Sequence, residues 1–274
     1  EMDIRMLKNT LNLLILSISL IFFAFNSNAI ESIAKTALLI DLSTGEVLLD
    51  KNSEEKTYPS SMTKIMTALM AFEKIKDGTL SMDQEFLISK KAWKMGGSKM
   101  FIEVDKKVKV SDLLLGVVVQ SGNDASIAIA EGISGSEETF AIEMNNLAKK
   151  IGLTNTNFVN SSGWPNDNHY TTAKDLAKIA EYTLNEHPEL YEMYAITEFT
   201  YGGIKQDNRN PLLYSFDGTD GFKTGHTQAA GYGLVGSAER GDRRLLLVLN
   251  GLETSRSRAQ ESLRLMDWGF NNFQ

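Results

Sequence analysis

Apolar and polar positions alternate through "AKTALLIDLSTGEVLLDKN", residues 34–52, break at Thr44-Gly45, and then alternate again. A period of two on both sides of a turn dipeptide predicts a β-hairpin. After "YPSS" the spacing becomes helical through about Ile75, with Ile65, Met66, Ala68, Leu69 and Phe72 on the inward side. Residues 84–110 are mixed and charged, which predicts short strands and loops. Ser111 is expected to cap a helix over "DLLLGVVVQ", and a second helix to run from Asp124 to Ile133. "SEETFAIEMNNLAKKIG" reads as a helix capped by Ser136 and stopped at Gly152. A polar loop over 153–171 precedes "TTAKDLAKIAEYTL", where Thr172 and Asp175 stand three apart as in a capping box. "GYGLVGSA", "ERGD" and "RRLLLVLN" form a second hairpin, and "RAQESLRLMDWGF" a closing helix.

Strands come first, helices fill the middle, and strands return near the end. That order predicts an α+β fold, in which an antiparallel sheet of about five strands joins the two ends of the chain around a helical insertion.

Composition adds three points. Arg5 and Lys8 precede "LNLLILSISLIFFAF" and a small-residue site ending at Ala29, the layout of an export signal. Residues 1–29 are therefore set apart from the fold, and an uncleaved anchor is the alternative. The net charge of −7 argues against a nucleic-acid surface. The chain has no cysteine, so an exported form would rely on its core, as suits a bacterial periplasm.

Three short motifs carry candidate chemistry. Ser61 and Lys64, in "YPSSMTKIMT", share one face at a helix start. Free N–H groups there can hold an oxyanion, and a lysine among apolar neighbours can lose its proton and accept that of serine. The plainer alternative is a capping serine and a snorkelling lysine. The pattern alone is weak, and "SIAK", with Ser32 and Lys35, repeats it in an extended segment. In "QSGND", Ser121 and Asn123 sit on a turn that could expose a hydroxyl and an amide at a cleft edge, or simply connect two helices. In "DGFKTGHTQ", Lys223 offers charge and Thr224 a hydroxyl. Gly225 would let a ligand approach the strand backbone. A solvated strand end is the alternative there, although K-T-G is expected by chance only about 0.06 times in such a chain.

S-x-x-K, S-x-N and K-T-G in this order are the signature of penicillin-recognising serine acyltransferases. Over nearly all of residues 31–274 the chain resembles low-molecular-mass penicillin-binding proteins, the D-alanyl-D-alanine carboxypeptidases of serine peptidase family S11. The blocks "YPSSMTKIMTA", "GGSKMFIEVDKKVKVSDLL", "NSSGWPNDNHYTTAKDLA", "ELYEMYAITEFTY", "NRNPLL" and "DGFKTGHTQAAGYGLVGSA" carry the likeness. It implies a β-lactamase/transpeptidase-like fold, with Ser61 as nucleophile and Lys64 as general base. Ser121, Asn123 and Lys223 would complete the proton relay and substrate contacts. Thr224 and Arg258 would meet the terminal carboxylate, with Arg256 two residues from Arg258 in a loose local pattern. The N–H groups of Ser61 and His226 would form the oxyanion hole. The implied substrate is a peptidoglycan stem peptide ending in D-Ala-D-Ala, β-lactams are the implied covalent inhibitors, and no cofactor is needed. The family usually continues into a small β-rich domain and an amphipathic membrane helix, which are expected to be absent from a sequence ending at Gln274, so membrane association is left open.

The rival enzyme, a class A β-lactamase, needs a loop glutamate, and residues 153–180 contain none. A D,D-endopeptidase or a silent muropeptide-binding protein are further alternatives. The three histidines, His169, His187 and His226, match no zinc spacing. His169 is expected to pack or hydrogen-bond within its loop, Asp167 to serve its turn, and Met62, Met66 and Met70 to pack in the core.

Overall fold

The computed structural model describes residues 30–273, and the expected export signal lies outside them. The first hairpin forms as the alternation predicts: β1 (Thr36–Asp41) and β2 (Glu46–Lys51) turn at Gly45, whose φ is 78°. A 3₁₀ turn (Ser60–Thr63) then runs directly into α1 (Lys64–Lys76). The mixed stretch supplies β3 (Glu85–Leu87), α2 (Lys90–Lys94) and β4 (Lys107–Lys109). Next come α3 (Val110–Val118), α4 (Asn123–Ser134), α5 (Glu137–Ile151) and α6 (Ala173–Glu186). A small hairpin, β5 (Glu198–Tyr201) and β6 (Ile204–Asp207), precedes β7 (Thr219–Thr227), β8 (Gly231–Arg240), β9 (Arg243–Leu252) and the closing α7 (Ser255–Asn272).

The main sheet has the order β2-β1-β9-β8-β7, antiparallel throughout. Pairing of β1 with β9 joins the two ends of the chain as expected. Successive side chains of a strand point to opposite faces. Leu38, Val235, Leu246 and Val248 thus enter the large core shared with the helices. Leu39 and Leu245 face α7, which comes so close at Gly269 that an added Cβ would stand 2.7 Å from Leu245. With both faces covered, β9 is the near-continuous apolar run "LLLVL".

Caps form where sequence placed them at Ser136 and Thr172, whose side chains accept from the N–H groups of Thr139 and Asp175. Ser111 does not cap. Helix α3 starts at Val110, and the N–H groups of Val110 and Ser111 donate to the carbonyls of Gln84 and Met82. The preceding segment satisfies these free donors, so a side-chain cap is redundant. Met62, Met66 and Met70 are buried in the core.

Candidate active site

The end of the chain segment before α1 is unusual. Ser60 has φ 50°, in the left-handed region that few non-glycine residues occupy. Its hydroxyl donates to Thr227 Oγ1 on β7 at 3.2 Å. Its carbonyl is met by Gly163, where a Cβ would stand 1.7 Å from Ser60 O. This clamp sets the 3₁₀ turn against the edge strand β7 and presents Ser61 at the start of α1. Gly225 belongs to the same contact: its added Cβ would stand 2.8 Å from Pro59 O and 3.2 Å from Met62 N. The close approach expected of a ligand at Gly225 is thus made by the protein's own 3₁₀ turn.

One turn on, Lys64 is fully buried instead of snorkelling. Its Nζ contacts Ser61 Oγ at 3.0 Å, Asn123 Oδ1 at 2.8 Å and Ser162 O at 2.7 Å. A neutral amine can donate to the amide and carbonyl oxygens, which leaves its lone pair for the Ser61 hydroxyl proton. Burial drives the Lys64 pKa down to about 7, repulsion from Arg209 adds to this, and Asp124 opposes it. Asp124 is no rival base: its carboxylate accepts from the N–H groups of Met100, Phe101 and Ile102.

The partners of Lys64 are themselves held. Asn123 donates through Nδ2 to Gly96 O and through its backbone to Ser98 O, which turns Oδ1 toward Lys64. Ser121 lies beside it with φ 65°. Ser121 and Asn123 are only 2% and 7% exposed, so the turn buries both side chains instead of presenting them openly. The Ser162 carbonyl is fixed from both sides. Asn160 Oδ1 accepts from Gly163 N and Trp164 N, and Thr67 donates to Ser161 O. His169 reaches beyond its loop: Nδ1 accepts from Val159 N, so Nε2 carries the proton donated to Thr63 Oγ1 at 2.8 Å. Burial lowers its pKa to about 4, with Lys64 contributing, and that keeps this tautomer uncharged at neutral pH.

On β7, Lys223 and Thr224 are buried, which rules out a solvated strand end. Burial, then the charges of Lys64, Arg209 and Arg258, hold the Lys223 pKa well below the ordinary lysine range. The guanidinium groups of Arg209 and Arg258 keep their charge beside these two lysines, and together they attract an anion. His226 is exposed at the rim and stacks on Tyr232, ring centroids 3.9 Å apart at 26°. The Arg258 guanidinium lies 5.5 Å from the same Tyr232 ring, and its buried Nε has no hydrogen-bond partner. Arg256 is exposed, so the structure separates the two arginines. Arg209, which carried no role in the sequence reading, donates to Ser98 Oγ at 2.6 Å and so ties its segment to the lip that grips Asn123. Its only sequence signal was the block "NRNPLL".

A buried lysine bonded to a helix-start serine, beside an antiparallel edge strand, is the arrangement of serine enzymes that use lysine as their base. The chain belongs to the D-alanyl-D-alanine carboxypeptidase family, peptidase S11, whose family model matches residues 24–254. It is 41% identical over 248 residues to D-alanyl-D-alanine carboxypeptidase DacC of Escherichia coli K12, covering 88% of this chain and 62% of that protein. DacF of Bacillus subtilis is 37% identical over 98% of this chain, which spans 72% of the relative. Among solved structures, penicillin-binding protein 5 of Haemophilus influenzae superposes with a TM-score of 0.85 at 39% identity, over 88% of this chain and 72% of that one. The Streptomyces K15 DD-transpeptidase gives 0.82 at 27% identity, over 88% of this chain and 98% of that one. Among the described residues no helix is long and apolar enough to cross a membrane.

Proposed function

We propose that this protein is a serine D,D-carboxypeptidase that removes the terminal D-alanine from peptidoglycan stem peptides. The observation that carries this reading is the 3.0 Å contact between Lys64 Nζ and Ser61 Oγ, with the other two Lys64 contacts going to acceptor oxygens. In this reading Lys64 takes the Ser61 proton as Oγ attacks the penultimate D-Ala carbonyl. The N–H groups of Ser61 and His226 hold the tetrahedral oxyanion. Collapse breaks the peptide bond, and the relay of Lys64, Ser121 and Lys223 returns a proton to the departing amine. Water then cleaves the acyl-enzyme ester, again with Lys64 as base. Thr224 and Arg258 bind the substrate carboxylate within the basic cluster. Residues 1–29 serve as export signal and 30–274 as catalytic domain, with a periplasmic site of action. β-Lactams acylate the same serine. The test is mass spectrometry after exposure to benzylpenicillin: the adduct is expected on the peptide holding Ser61, and modification elsewhere or none would reject the reading.

Two quantitative expectations follow from the electrostatics. Only the neutral Lys64 amine can accept a proton, and its pKa is lowered to about 7. The kcat/KM for D-Ala release should therefore rise with pH through about 7 and level off above it, as measured by a pH–rate profile. Arg258→Ala should lower kcat/KM by roughly tenfold or more, mostly through KM, because a charged hydrogen bond to the carboxylate is lost. The same variant should discriminate little between a free C-terminal carboxylate and its amide. Tyr232→Leu should shift KM in the same direction by less, since Tyr232 only positions Arg258.

A further inference from the structure

Glu137 is the first residue of α5 and is only 8% exposed, whereas its neighbour Glu138 is open to solvent. Both carboxylates meet Lys91 on α2, at 3.1 and 3.0 Å. A negative charge is favourable at a helix start, and Glu138 supplies one without leaving water. Burying a second carboxylate is costly unless donors meet it. Here the donors come from the loop beside Lys64, 24 residues away in sequence. Glu137 Oε1 accepts from Ser161 N at 3.0 Å and from Ser161 Oγ at 2.8 Å. Hydrogen bonds to an ionised acceptor are the stronger kind, so this is a firm hold on one loop residue.

Ser161 stands one residue before the carbonyl that Lys64 uses. Its own carbonyl accepts from Thr67 Oγ1 on α1 at 2.6 Å. The residue is thus gripped by α5 through its N–H and hydroxyl, and by α1 through its carbonyl. Anchors on both sides leave the next peptide little freedom, and Ser162 O is delivered to Lys64 Nζ at 2.7 Å. Asn160 Oδ1 accepts from the N–H groups of Ser162, Gly163 and Trp164, all within the loop itself. Asn160 shapes the turn, while Glu137 and Thr67 attach it to helices. The charged or titratable groups around Lys64 are Asp124, His169, Arg209 and Lys223. Glu137 reaches Lys64 through Ser161 and Ser162.

Resting on the carboxypeptidase reading, we propose that Glu137 is a positioning residue of the reaction: through Ser161 it holds the Ser162 carbonyl on Lys64, which keeps the amine aimed at Ser61 and shielded from water. What matters is an acceptor oxygen at this reach, not the ion pair with Lys91. Without that anchor the turn loosens and water enters beside Lys64. Burial is the main cause that lowers the Lys64 pKa to about 7, so hydration moves it up toward the ordinary lysine value. Loss of the carbonyl alone would act the other way, but the entering water replaces it as an acceptor.

The test compares Glu137→Gln with Glu137→Asp in the full protein. Acylation of Ser61 by saturating fluorescent penicillin is followed across pH, beside D-alanine release by the wild type. Glutamine keeps the length and an oxygen for Ser161 but gives up the ion pair. Aspartate keeps the charge that the helix start favours but is one methylene short. The expected order therefore reverses charge conservation. Glu137→Gln should acylate within about threefold of wild type, since a half-exposed ion pair contributes little, and its rise with pH should stay centred near 7. Glu137→Asp should acylate at least about tenfold more slowly, as misplacement of a reacting group does, with its rise moved to higher pH. A fast aspartate and a slow glutamine variant would assign the role to the charge and overturn the proposal. Equal rates in the two variants would also overturn it, as would a slow aspartate variant whose rise stays near 7, the mark of a merely structural effect. Wild type that is acylated but releases no D-alanine would instead strike the carboxypeptidase reading, with the role of Glu137 still decided by the acylation rates.

Discussion

Lys64→Met is expected to lower acylation of Ser61 by at least about 10³-fold, as loss of a positioned base does. Methionine fills much of the same fully buried volume but cannot accept a proton. The variant also leaves Asn123 Oδ1 and Ser162 O without the donor they have in the wild type. Each unpaired buried acceptor costs about 1–3 kcal/mol, offset in part because no amine has to be desolvated. A folded but inert protein is therefore the expected product. Lys64→Arg should be equally inert, since guanidinium does not release its proton at working pH. Stopped-flow labelling with a fluorescent penicillin, alongside circular dichroism, reads both properties. Acylation within tenfold of wild type in Lys64→Met would assign the base elsewhere.

Gly163→Ala is expected to give the largest structural effect of any single methyl group at the site. The added Cβ would stand 1.7 Å from Ser60 O and 2.3 Å from Ser60 C, at a φ of 81°. Both atoms are backbone, so no side chain can swing aside. The loop has to lift from the 3₁₀ turn, and Ser162 O then leaves Lys64. A loss of more than about 3 kcal/mol is expected, together with loss of acylation. Gly152→Ala provides the comparison: its φ is 84°, yet nothing lies within 4 Å of the added Cβ. Only the left-handed backbone is penalised there, by about 1–2 kcal/mol. Thermal denaturation of the two variants should show the difference, and equal melting temperatures would refute the clamp.

Local periodicity made much of the fold legible. The Gly45 hairpin, the caps at Ser136 and Thr172, the methionine stripe of α1 and the apolar run of β9 all depend on neighbours within a turn or a strand pair. The β5–β6 hairpin carried its own signal, Gly202-Gly203 with φ 55° and 78°, but the flanking strands are four residues each and half polar. Ser111 misled because donors at the start of α3 find partners in a preceding segment, which no local pattern records. At the site, residue types and order pointed to Ser61, Lys64, Ser121, Asn123 and Lys223. What holds them together did not show. Lys64 meets Asn123 and Ser162 across 59 and 98 residues of sequence, and Thr63 meets His169 across 106. Such contacts are set by how α1, α4 and the 160–169 loop converge, not by spacing along the chain. Arg209 was overlooked for the same reason: its neighbours are Ser98 and a cluster of charges from three separate segments.

The most direct test of the central claim is free D-alanine released from a peptide ending in D-Ala-D-Ala, measured for the wild-type protein and Ser61→Ala in parallel. Sustained release by the wild type and none by the variant, both folded, is the predicted result. Release that persists in Ser61→Ala, or folded wild type that releases none while its serine still reacts with penicillin, would contradict it.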